Sequence, residues 1–185
     1  AELVIPIARN TQVSAQGTPG LETLVNIVMK GNDILMPSYD LLLQDIEGEL
    51  TYSDRRGLSS EGYTARLFGK PLRGTITTRM GEPGEVTISA AGTTTVKDLY
   101  DWSEQTILTR ATGEFEYSAK LRIPFGGHQD SSSLEARSRL AGVTVDLPLP
   151  LGKSASQRRD FRYLNTFGDP VQRVEVDYGD SFSAI

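Results

Sequence analysis

Hydrophobic side chains in this chain recur at every second position. That period restricts most of it to strands with one apolar and one polar face. In Phe115-Glu116-Tyr117-Ser118-Ala119-Lys120-Leu121-Arg122-Ile123 every odd position is apolar and every even one polar, until Pro124, which lacks the ladder N–H. The same alternation runs through Ile46 to Tyr52, Tyr63 to Leu67, Leu72 to Met80, Val86 to Ala90 and Val174 to Tyr178. From Leu134 to Leu140 the apolar positions are even and from Val143 onward they are odd, so a bulge or bend is expected at Ala141-Gly142. Val25 to Leu43 is apolar but irregular, and its strand assignment rests on composition alone.

Turn-forming clusters separate these runs at Ser53-Asp54-Arg55-Arg56-Gly57, Lys70-Pro71, Gly81-Glu82-Pro83-Gly84 and Phe167-Gly168-Asp169-Pro170. One segment breaks the period. Thr95 followed by Asp98 has capping-box spacing, with Val96, Leu99 and Tyr100 on one helical face, which predicts a short helix over 95–103. The expected organisation is therefore a single β-rich segment, 1–185, with a strand block over about 1–92, the helix, and a second block over about 107–185. Gly48-Glu49-Leu50-Thr51-Tyr52-Ser53 and Gly113-Glu114-Phe115-Glu116-Tyr117-Ser118 share a GE(L/F)xYS pattern, one per block.

At 185 residues, 38% hydrophobic and 23% charged, the chain has the size and apolar content of one folded domain. Its 19 basic and 24 acidic residues are interspersed and leave a net charge of -5, with no basic stripe to neutralise a nucleic-acid backbone. There is no cysteine and a single histidine, so thiolate chemistry and histidine-pair metal sites are excluded. No run approaches the ~18 apolar residues of a membrane helix. The opening Leu3-Val4-Ile5-Pro6-Ile7 carries no leader pattern, and the chain reads as an excised piece of something longer.

Catalytic motifs fail on inspection. Gly152-Lys153-Ser154 looks like the end of a phosphate-binding loop, but Leu147 stands where the first glycine is needed, and Pro148 and Pro150 remove N–H donors. His128, in Gly126-Gly127-His128-Gln129-Asp130-Ser131, reads as a hairpin-tip residue rather than a base held rigidly in a triad. Asp98, Asp101, Glu104, Glu47 and Glu49 fall on polar faces, where solvation explains them. Trp102, the only tryptophan, reads as helix packing rather than a sugar platform. The chain is expected to be no enzyme and to need no cofactor or metal.

The stretch Leu140-Ala141-Gly142 through Leu147-Pro148-Leu149-Pro150-Leu151-Gly152-Lys153 is more particular than composition explains. It resembles the (S)xLxGxxxxLPxPLGK signature of YhdP-type AsmA-like proteins of the Gram-negative envelope, with Gly142, Leu147, Pro148, Pro150, Leu151, Gly152 and Lys153 at motif positions. Gly48 to Tyr52, Gly57-Leu58, and Leu67-Phe68-Gly69-Lys70-Pro71 resemble further blocks in the family's order, as does Gly92…Leu99…Trp102. Leu149 departs from the small residue expected there. The resemblance implies a strongly curved, groove-like antiparallel β-sheet. It also implies a parent protein anchored by one inner-membrane helix, with a periplasmic body that carries phospholipid between membranes, this chain being an interior piece of its C-terminal half. Adjacent segments of the parent chain would then be partners, and membrane contact would come only from parts of the parent outside this chain.

Strands with one apolar face either bury it against another layer or leave it open. Leu50, Tyr52, Tyr63, Leu67, Ile76, Phe115, Tyr117, Leu121 and Ile123 therefore have two readings, core or lining for phospholipid acyl chains. The Leu147 to Leu151 segment likewise reads as a stiffened strand exit, or as a lip or docking patch at a groove edge. An envelope scaffold module without lipid is one alternative function, and a carbohydrate-binding β-sandwich is another.

Overall fold

The computed structural model describes residues 8–12, 22–36, 40–126, 131–168, 173–179 and 182–184. The strands are β1 (Ala8–Gln12), β2 (Glu22–Met36), β3 (Leu41–Ser53), β4 (Gly57–Leu67), β5 (Lys70–Arg79), β6 (Gly84–Thr95), β7 (Ala111–Phe125), β8 (Ser132–Ser138), β9 (Val143–Val145), β10 (Phe161–Phe167), β11 (Arg173–Tyr178) and β12 (Phe182–Ala184). Helix α1 (Val96–Ser103) and a 3₁₀ helix (Thr106–Arg110) lie between β6 and β7. Every pairing is antiparallel and follows chain order from β1 to β12, except that β9 pairs with the start of β7. The described strands thus form one open meander, a curved all-β architecture.

The helix forms where its cap places it. Thr95 accepts a hydrogen bond from the Asp98 backbone N–H and Asp98 accepts one from the Thr95 N–H, a reciprocal capping box. Glu104, in the left-handed conformation at φ 53°, ends it. The second strand block starts at Ala111 rather than near 107, because the 3₁₀ helix intervenes. The turn expected at Lys70-Pro71 falls instead on Phe68-Gly69, both at positive φ in a two-residue hairpin. Pro71 is the second residue of β5, close to the strand end where proline is tolerated.

Bulges explain where the alternation falters. From the Ser118–Arg137 pair to the Gly113–Val143 pair, β7 moves five residues while its partner moves six. β9 is therefore β8 continued across one extra residue, with Leu140 and Gly142 at positive φ, where the parity change falls. The irregular Val25 to Leu43 stretch is β2 and β3 with register shifts around Asn32. A strand that switches parity scatters its hydrophobic residues over both faces, and Val28, Leu35 and Leu42 are indeed exposed.

The GE(L/F)xYS repeat is one structural device used twice. A β-carbon on Gly113 would lie 2.1 Å from the Gly142 carbonyl oxygen, and one on Gly48 would lie 2.9 Å from that of Gly62. Each glycine faces a bulged stretch of the neighbouring strand, β8–β9 in one case and β4 in the other, and admits its backbone. Three further glycines sit directly opposite aromatic residues, in the pairs Tyr63–Gly74, Gly84–Phe125 and Gly92–Tyr117. In each, the ring or hydroxyl crosses over the bare backbone and covers it.

The buried core is small for the size of the sheet. One cluster gathers Val96, Phe115, Leu140 and Val143 under α1. The other gathers Ile46, Ala65 and Leu72 in the first block. Most other apolar strand residues are only half-buried or exposed, because among the described residues no second layer covers them.

Candidate functional site

Directly opposed residues of an antiparallel ladder share a face, so the registers define that face residue by residue. One row runs Met29–Gly48–Tyr63–Gly74–Ala90–Ala119–Ala136–Tyr163–Val176, each residue opposite the next, across nine strands from β2 to β11. It contains no charged side chain. At the strand spacing this row is roughly 40 Å long. Over β5 to β8 its members are Gly74, Ala90, Ala119 and Ala136, while the parallel row two residues away is Ile76, Ile88, Leu121 and Leu134. Small residues beside a wall of large aliphatic ones make a furrow that crosses the strands.

The two rims of this face differ. At one, Val96 of α1 is buried with Phe115, Leu140 and Val143, and Leu99 of α1, Leu108 of the 3₁₀ helix, Tyr117, Phe161 and Tyr178 pack against that cluster, in which Val143 is only 2% exposed. Trp102 reaches the β4–β5 turn, its ring 6.1 Å from that of Phe68. At the other rim nothing covers the sheet among the described residues, and Tyr52, Met80, Ile123 and Phe125 are 37–46% exposed.

The segment from Asp146 to Gly152 seals the first rim from outside. Val145 and Lys153 pair as an isolated bridge and close it into a loop. The Lys153 amine, in a residue only 5% exposed, donates to the carbonyl oxygens of Leu140, at 2.8 Å, and Val143. Burial lowers its pKa, and the Arg159 charge adds to the effect. Tyr178 donates its hydroxyl to the Leu151 carbonyl at 2.8 Å, and Arg159 lies over the Tyr178 ring, 4.8 Å from its centroid, while donating to the Pro150 and Leu151 carbonyls. A β-carbon on Gly152 would lie 2.1 Å from the Leu147 carbonyl oxygen, so only glycine fits.

On the polar face, Glu135 of β8 is ion-paired to three arginines: Arg137 at 2.7 Å, Arg162 at 2.9 Å and Arg122 at 3.7 Å. Arg162 continues to Asp177 and Glu175, so one network ties β7, β8, β10 and β11 together. The hydrogen bonds from Arg137 and Arg162 hold the Glu135 pKa down to about 2. A carboxylate with a depressed folded-state pKa stabilises the fold above its unfolded pKa, and loses that contribution as pH falls through the folded one. We expect about 2 kcal/mol from this group, discounted for the exposed guanidiniums, to disappear between about pH 4.5 and 2. Urea titrations at pH 6 and pH 2.5 on wild type and Glu135→Gln test this. The variant should be less stable at pH 6 and show a smaller loss of stability on acidification.

All nine sequence-predicted lining residues fall on the apolar face. They do not share one environment. Phe115, at 8% exposure, is packed under α1 and is core rather than lining. Tyr63 covers Gly74 and donates its hydroxyl to the Ser89 carbonyl at 3.2 Å. Ile76 and Leu121 form the furrow wall, Leu50, Tyr52 and Ile123 extend toward the uncovered rim, and Leu67 and Tyr117 lie toward the sealed one. His128 lies outside the described residues. Among those described, no cluster suited to a metal ion occurs and no helix is long and apolar enough to cross a membrane. The furrow alanines and the Glu135 network escaped sequence reasoning, since alanine carries no signal by itself and the network joins four strands.

A model of the YhdP protein family matches residues 2–184. The chain belongs to the YhdP family. No curated protein and no solved structure matches it significantly. Membership is consistent with an AsmA-like protein of the bacterial envelope, and it covers both strand blocks, the helix and the LPLPLGK loop. Within that loop, the departure at Leu149 is harmless for a simple reason. Its side chain is 87% exposed at the loop tip, where a larger residue meets no neighbour.

Proposed function

We propose that this YhdP-family segment is part of a periplasmic conduit along which phospholipid acyl chains lie between the inner and outer membranes. The observation that carries this reading is the uncharged register row across nine strands, with its alanine and glycine furrow, which no second layer covers among the described residues. A sheet face of this kind in water is unfavourable unless something apolar fills it. Acyl chains suit it: each methylene buried contributes about 0.8 kcal/mol without any directional contact, so chains can slide between equivalent positions. No covalent step is involved. Among the described residues the strand order ends at β1 and β12 with unpaired edges, which supports continuation of the face into neighbouring segments of the parent chain.

Native mass spectrometry of the gently purified chain, followed by solvent extraction, tests the reading. Phospholipid masses at defined stoichiometry are the expected result. A lipid-free chain that instead associates through its edges as concentration rises would replace the conduit with an envelope scaffold.

A further inference from the structure

We infer that the polar face carries a second binding site, a cavity over β7, β8 and β10 that takes a phosphorylated sugar, with the phosphate on Arg137, Arg139, Arg158 and Arg162. The register row Ser118–Arg137–Arg162–Asp177 alternates along its strands with Ala119, Ala136, Tyr163 and Val176 of the apolar row, so it faces away from the furrow. Arg137 and Arg162 stand directly opposite one another, an arrangement that repels unless a counter-charge joins the two. Glu135, its side chain 10% exposed, supplies that charge and holds both. Each guanidinium has five N–H donors, and the bonds to carboxylates leave donors spare on both. The two arginines line a cavity of about 1260 Å³, and Arg139 and Arg158 line it with them. Arg158 is brought there by its chain neighbour, since the Arg159 N–H donates to the Arg139 carbonyl at 2.8 Å. The side chains of Arg139 and Arg158 have no hydrogen bond or ion pair among the described residues.

Four guanidiniums around one cavity match a phosphate monoester, because arginine donates two parallel hydrogen bonds to phosphate oxygens. The other charges lining the cavity decide what carries that phosphate. Asp177 is held by Arg162, Glu114 by Lys70 at 3.6 Å, and Arg159 by the Pro150 and Leu151 carbonyls. Glu116 and Asp160 are exposed and have no side-chain partner among the described residues. Thr93, directly opposite Glu116, and Ser118, directly opposite Arg137, add hydroxyls. Carboxylates repel a bare anion but accept hydrogen bonds from hydroxyl groups, so a phosphate on a polyhydroxylated body satisfies both sets of side chains. The volume is that of a small-molecule site rather than of a single ion. A nucleotide does not suit it. Tyr117 and Phe161, the aromatic residues of the lining, pack into the apolar cluster under α1 and leave no ring on which a base could stack.

The test is calorimetric titration of the 185-residue chain with glucose 6-phosphate, inorganic phosphate and glucose. Wild type should bind glucose 6-phosphate roughly tenfold tighter than inorganic phosphate and glucose not measurably, with affinity falling as salt rises. Arg139→Gln/Arg158→Gln should lose at least tenfold for both phosphates and, since neither side chain has a partner to lose, unfold at the wild-type denaturant midpoint. Glu116→Ala should weaken glucose 6-phosphate without weakening inorganic phosphate. Arg55→Gln/Arg56→Gln, the same charge removed at the β3–β4 turn, should bind like wild type. Ile76→Asp/Leu121→Asp should do so too, because the furrow is on the other face. Glucose 6-phosphate bound no tighter than inorganic phosphate overturns the sugar. No binding of either phosphate overturns the site, as does binding that survives Arg139→Gln/Arg158→Gln or falls equally in Arg55→Gln/Arg56→Gln.

Discussion

Lys153→Met is expected to lower the unfolding free energy by about 3 kcal/mol. The methionine keeps the apolar stem and removes only the ammonium, which donates to the carbonyls of Leu140 and Val143 inside a site 5% exposed. Those two carbonyls flank the bulge at which β8 becomes β9, so their donor is also what fixes the bulge. A charge-assisted hydrogen bond contributes about 1.5–3 kcal/mol, and after its loss the Leu140 carbonyl keeps only the Val143 N–H, at 3.3 Å. The measurement is a urea titration, in which the midpoint should fall with little change in slope. Leu149→Ala, four residues away but 87% exposed, should stay within about 0.5 kcal/mol of wild type. Equal, small effects at both positions would mean that the loop is held by its prolines and Arg159 rather than by the buried amine.

Ile76→Asp/Leu121→Asp should abolish co-purified lipid while the sheet stays folded. Both side chains are half-buried on the furrow wall, Ile76 opposite Ile88 and Ile88 opposite Leu121. In the free protein a carboxylate there reaches water, so its cost to folding is modest. With an acyl chain in the furrow it must either lose that water or displace the chain. Denying contact to about three methylenes at each position removes roughly 2 kcal/mol per substitution, on the order of a thousandfold in affinity for the pair. Lipid extracted per mole of protein reads the binding, and far-UV circular dichroism with the urea midpoint reads the fold. Undiminished lipid in a folded double variant would place the chains elsewhere and return these residues to ordinary packing.

Much of the architecture is visible in local pattern. The period-two runs identified the long strands, since a side chain's face follows directly from its parity within a strand. The Thr95–Asp98 spacing located the helix, and the parity break at Ala141-Gly142 located the bulge, both being interactions between residues close in sequence. Where the pattern was misread, the reason was also local. The turn at Phe68-Gly69 carries its signal in one glycine, and the proline after it drew the expectation two residues downstream.

The site was legible only in part. Alternation placed Leu50, Tyr52, Tyr63, Leu67, Ile76, Phe115, Tyr117, Leu121 and Ile123 on a common kind of face, and the registers unite them on a single one. Which of them is covered depends on α1 folding back over Phe115 and not over Ile123, a matter of packing between elements distant in sequence. The same holds for Glu135, whose depressed pKa comes from arginines 2 and 27 residues along the chain.

By itself the sequence determined an all-β chain with one capped helix, a bulge, strands apolar on one side and membership of the YhdP family, because each is encoded in neighbouring residues or in a contiguous motif. Only the tertiary structure decided that one glycine and three alanines from four strands line up as a furrow, that Lys153 is a buried clamp, and that one rim is sealed while the other stands uncovered among the described residues. Those facts depend on register and on which surfaces meet, and neither is a property of any single stretch of chain.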